Sequence, residues 1–138
     1  MPRPAPAERF LLELAKELAE LARDADPTRA LSLPLLKLAA AYGPSESLPH
    51  EVFRARVRSR SDKTAALALS WAREQVRFGL QEVVERVKGR RSRVEIDSET
   101  FAWLLLAACE AIAQEPPSAV PDRIRALMQL IAHARAAG

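Results

Sequence analysis

The sequence predicts an all-α protein, and three observations carry that prediction. Alanine, leucine, glutamate and arginine dominate the 138 residues; glycine occurs only four times and aromatic residues make up 5%; and prolines gather at the edges of apolar-periodic stretches. The dominant residues are good helix formers, whereas the β-branched and aromatic residues that strands favour are thin. The length suits one domain, which can bury roughly 70% of the surface its unfolded chain exposes. At 49% hydrophobic and 28% charged, the composition is globular rather than disordered.

Six helices are expected, at about residues 6–24, 34–42, 48–60, 62–88, 98–114 and 121–137 of the sequence. Pro6 opens the first, with Glu8 in the turn where a carboxylate suits the helix dipole, and Phe10, Leu11, Leu14, Leu18 and Leu21 share its apolar stripe. Asp26-Pro27 is a cap followed by a first-position proline. Pro34 comes soon after, and proline removes a donor and crowds the preceding turn, so a short turn is expected before a helix that starts at Pro34. Leu35, Leu38, Ala39 and Tyr42 give that helix its face, and Gly43-Pro44-Ser45 ends it.

Ser47-Leu48-Pro49-His50-Glu51 starts the third segment, where Phe53 and Val57 sit one turn apart and Arg54, Arg56, Arg58 and Arg60 alternate with smaller residues. Alternation also suits a strand, but a lone strand would have no partner in this sequence, so helix is the reading. The fourth helix is the longest. One stripe runs through Leu67, Trp71 and Phe78 and another through Leu69, Val76, Leu80, Val83 and Val87, which predicts a central helix packed on both flanks. After Gly89 and the basic stretch Arg90-Arg91-Ser92-Arg93, Asp97-Ser98-Glu99 caps a fifth helix. That helix is apolar nearly all round: Phe101, Leu104, Leu105, Ala108 and Ile112 form one face, and Trp103, Leu106, Ala107 and Ala111 another. It must be buried in the domain or against another subunit. Pro116-Pro117 stops it, and the sixth helix begins at Pro121-Asp122 with a stripe of Ile124, Leu127, Met128, Ile131 and Ala134.

Several function classes fall away. Cys109 is the only cysteine, which rules out an intrachain disulfide and a cysteine-built zinc site and fits a reducing, cytoplasmic setting. The longest apolar run, Phe101 to Cys109, is about half of the ~20 residues a membrane-spanning helix needs. His50 and His133 are far apart and lack metal-ligand spacing; no nucleophile-base arrangement is visible; and four scattered glycines build no phosphate loop. No metal, cofactor or enzymatic activity is expected. The net charge of +3 permits phosphate contact but is modest for a dedicated nucleic-acid binder. Arg54, Arg56, Arg58 and Arg60, with Arg90, Arg91 and Arg93, are the candidate nucleic-acid contacts, although no aromatics are interleaved among them for base stacking. The absence of asparagine, with proline at boundaries, matches a bias of heat-adapted proteins that a GC-rich genome also produces.

From Trp71 to Ala113 the chain runs as a long helix (WAREQVRFGLQEVVERV), a polar linker (KGRRSRVEI), Asp97-Ser98-Glu99 and then FAWLLLAACEAIA. This succession resembles the C-terminal half of the tetracycline-repressor (TetR) family of transcription regulators, and the six segments are similar in number and order to the helices that follow that family's DNA-binding head. Nothing in these 138 residues resembles that family's helix-turn-helix head. The resemblance implies a ligand-binding and homodimerisation domain that does not bind operator DNA by itself. By position it implies an apolar effector pocket at Leu14, Tyr42, Trp71, Gln75 and Phe78, and a twofold seam at Trp103, Leu106, Ala107, Ile124, Met128 and Ile131. The alternative, motivated by the arginine runs, is a basic helical adaptor in a nucleoprotein or protein assembly.

Overall fold

The computed structural model describes residues 5–87 and 96–136, with the side chains of 134–136 left aside. Six α-helices and one short 3₁₀ turn make up its regular structure, with no strand among the described residues. The protein is an all-α helical bundle. None of its described helices is long and apolar enough to cross a membrane.

α1 (Pro6–Leu21) buries Ala7, Leu11, Leu14 and Leu18, which lie on one face at a spacing of three and four residues. It ends three residues before the expected boundary because its last bonds tighten: the N–H groups of Arg23 and Asp24 reach back only three residues, to Glu20 and Leu21. The Asp24 carboxylate then accepts from the N–H of Asp26, and Arg86 donates to the carbonyl of Ala22, so the exit from α1 is pinned from both sides.

α2 (Pro27–Ala41) corrects the expectation of a turn before Pro34. The N–H of Thr28 donates to the Asp26 carboxylate at 3.0 Å, the cap is made there, and the helix runs on through Pro34 without a break. Proline inside a helix costs about 3 kcal/mol. Here the ring lies on the same buried face as Leu31, Leu35 and Leu38, and each buried leucine contributes roughly 1.5–3 kcal/mol. Packing therefore outweighs the lost backbone bond.

α3 (Ser47–Ser59) is a helix, not a strand, and buries only Leu48 and Val52. The chain turns at Ser61-Asp62, where the Asp62 carboxylate accepts from the N–H of Ala65 and caps the next helix. α4 (Lys63–Val87) is central, packing against α1, α2, α3 and α5. Its buried line is Leu69, Ala72, Val76, Leu80, Val83 and Val84, so one of the two expected stripes is core. The other is not: Leu67 is 72% exposed, Trp71 58% and Phe78 47%. All four neighbours approach from the same half of the helix, which leaves its far side uncovered.

α5 (Ser98–Ile112) starts where Asp97 accepts from the N–H of Thr100 at 2.7 Å, and buries Ala102, Leu105, Leu106, Cys109 and Ile112. The 3₁₀ turn Pro117–Ala119 leads into α6 (Val120–Ala136), which lies mainly over α2 and touches α5. Leu127 and Ile131 anchor α6 in the core, Ile124 and Met128 pack at the core's edge, and Leu130 points outward.

Candidate functional site

The outward side of α5 is an apolar strip without charge. At 100° per residue, Thr100, Trp103, Leu104, Ala107 and Ala111 fall on the face opposite Leu105, Leu106 and Cys109. Trp103 is 49% exposed and Leu104 42%; Ala107 is half-buried and Ala111 exposed. No charged residue occurs from Thr100 to Cys109. Water therefore meets a strip that is bulky at its N-terminal end and small-sided at its C-terminal end.

Beside this strip runs a groove of about 330 Å³ between α4 and α5, lined by Arg73, Glu74 and Arg77 on one side and Glu99, Thr100 and Trp103 on the other. Its cations are committed. Arg77 is buried, and its guanidinium forks onto Glu74, with Nη2 to Oε2 at 2.7 Å and Nε to the two oxygens at 3.0 and 3.1 Å. Its Nη1 donates to Gln81 Oε1 at 3.0 Å, and the ring of Phe78 lies 4.7 Å from the guanidinium carbon. The hydrogen bond from Arg77 holds the Glu74 carboxyl below the ordinary carboxylate range.

One turn away, α3, α4 and α5 share a carboxylate. Arg73 donates to Glu110 through Nε and Nη2, both at 2.8 Å, and Arg56 Nη2 lies 3.7 Å from the same carboxylate. Both partners of the bidentate pair keep a quarter or less of their side chain exposed, which favours a tight geometry. Tyr42 and Cys109 lie under this cluster. Burial pushes the Tyr42 phenol up, with Glu110 adding to the shift, and burial likewise raises the Cys109 thiol to about 12. Such a thiol carries almost no thiolate at neutral pH and is packing rather than a nucleophile. His50 and His133 are both exposed, and no three metal-ligating side chains converge among the described residues.

The expected pocket set does not converge. Leu14 and Tyr42 are buried in the core, Gln75 is half-buried, and Trp71 and Phe78 look outward from α4, so the five line no common cavity. Burial also corrects the expected seam. Leu106 is fully buried within its own chain and Ile131 nearly so, while Ile124 and Met128 pack at the core's edge; Trp103 and Ala107 remain on the outside. Leu104 and Ala111 belong to that outward face too, and a charge-free run at three- and four-residue spacing was the signal for them. Of the candidate nucleic-acid contacts, Arg54, Arg56, Arg58 and Arg60 are exposed on α3 and its end, and Arg90, Arg91 and Arg93 lie outside the described residues. The Arg77–Gln81–Glu85 ladder is readable from four-residue spacing, whereas the Arg73–Glu110 pair spans 37 positions and is not. Compared with known proteins, the chain matches no protein-family model, no curated protein sequence and no solved structure.

Proposed function

We propose that the chain is a homodimerising regulatory domain of the tetracycline-repressor type, in which α5 of one copy packs against α5 of a second. The observation that carries this reading is the outward strip of α5. A helix that turns Trp103 and Leu104 to water, with no charge among their neighbours, gains by covering them. The arrangement of sizes suits a twofold axis, because a closed dimer pairs residue i with j and j with i. Crossed antiparallel, Trp103 and Leu104 of each copy would lie over Ala107 and Ala111 of the other, bulk against small side chains. The order of elements in the resemblance adds support: a long helix, a polar linker, an acidic cap and an Ala/Leu-rich helix.

The regulatory output of such a domain is a change in helix orientation, passed to a DNA-reading head or to a partner. A small effector is not expected at the positional set, which does not converge; the groove next to Trp103 is an opening from which a ligand would act on the seam directly. Light scattering on a sizing column tests the dimer. The expected mass at micromolar concentration is twice the chain's 15.2 kDa. Trp103→Glu, at an exposed position, is expected to give the single-chain mass with an unchanged helical circular-dichroism spectrum. A wild-type monomer at that concentration removes the proposal.

A further inference from the structure

α3 contributes little to the core, and its outward side has an order of its own. By helical geometry, Phe53 and Val57 lie one turn apart along the middle of that side; Arg56 and Arg60 form a pair along one flank, and Arg54 and Arg58 a pair along the other. Phe53 is 67% exposed and Val57 50%. Among the described residues Arg54, Arg58 and Arg60 meet no carboxylate, and Arg56 reaches only Glu110. Glu51 is the only acidic residue within the helix. An apolar pair is thus framed on both sides by arginines, of which only Arg56 has a carboxylate partner among the described residues.

We propose that this face of α3 docks an acidic amphipathic helix of another protein, one that offers two apolar side chains a turn apart with carboxylates on either side. The apolar pair supplies the seam, and the two arginine rows take the place that flanking charges hold in paired helices. Charge decides against a second copy of the same face, because self-pairing sets arginine rows against arginine rows. The central pair decides against a nucleic-acid backbone: phosphates ask for cations alone, and a stacked single strand asks for successive aromatics where α3 has only Phe53.

Fluorescence anisotropy with the full chain tests this. The probes are a helical peptide with leucines at i and i+4 flanked by glutamates, a scrambled peptide of the same composition, and single-stranded and duplex oligonucleotides. The ordered peptide is expected to bind and the other probes not. Its affinity is expected to fall at least about tenfold with Phe53→Ser and with the double variant Arg54→Glu/Arg58→Glu. A comparable fall is expected when salt rises from about 0.05 to about 0.5 M. All these positions are exposed, and unchanged melting curves confirm that the variants fold. Trp103→Glu is expected to leave the affinity unaltered, which separates this surface from the α5 seam. Equal binding of the scrambled peptide, binding of an oligonucleotide instead, indifference to Phe53→Ser, or no binding of the ordered peptide each overturns the proposal.

Discussion

α3 and α5 both turn large apolar side chains to solvent, yet the chemistry around those side chains differs. α5 sinks five residues into the core and leaves a strip without charge, while α3 sinks two and frames its strip with arginines. Twofold pairing sets a face against its own copy: across α5 that would mean tryptophan and leucine over alanine, and across α3 arginine over arginine. On the two proposals, the same exposed hydrophobicity serves self-association on one helix and docking of an acidic partner on the other. The difference in anchoring matters as well. α5 is a platform fixed by the core, whereas α3 is held by Leu48, Val52 and the weaker reach of Arg56 to Glu110.

The sharpest way to break this contrast is to cut α5 on its inner side. Leu106→Ala is expected to cost about 2–5 kcal/mol in chemical denaturation, because the cavity lies in a fully buried layer. If Leu106 instead forms the seam, the same variant would chiefly shift the monomer–dimer equilibrium, which sizing at several concentrations resolves. Next in size is Glu110→Gln, which leaves Arg73 and Arg56 without their shared carboxylate. A loss of about 1–3 kcal/mol is expected by urea titration. Restoration by pairing it with Arg73→Gln would show that the cost comes from the stranded cation.

Alkali probes the layer beneath both helices. The folded Cys109 thiol keeps its proton up to about 12, against 9.0 for an ordinary thiol, and Tyr42 is shifted in the same direction. Between those limits the unfolded chain binds fewer protons than the folded one, so stability is full below about pH 9 and declines as pH rises toward 12. Melting temperatures taken across that range check the sign, and Cys109→Ala is expected to shallow the decline. The smallest effect is a control. A Cβ added at Gly79 meets nothing within 4 Å, so Gly79→Ala is expected to stabilise α4 by about 0.5–1 kcal/mol without changing the single-chain or dimer mass.

Much of the bundle was legible because helix starts and stops are local events. Asp97 caps α5 through the N–H of Thr100 as its position suggests, and the chain leaves α2 at Gly43-Pro44 where a stop was expected. The candidate site was legible in part. That α5 carries more apolar surface than its own chain covers follows from its composition; that Trp103 lies outside and Leu106 inside does not, because only packing separates the two faces. Tyr42, Trp71 and Phe78 share aromatic character but not a location, and only the packing of α4 separates them.

By itself the sequence determined the helical class, the order of the six rods and most of their ends, because propensity, caps and prolines act within a few residues. The tertiary structure alone decided that Pro34 stays inside α2, which stripe of α4 faces the core and which side of α5 faces water. A helix that is apolar on two faces satisfies its own backbone equally well at any rotation about its axis. The rotation is chosen by the neighbours it buries against, and those neighbours come from distant parts of the chain.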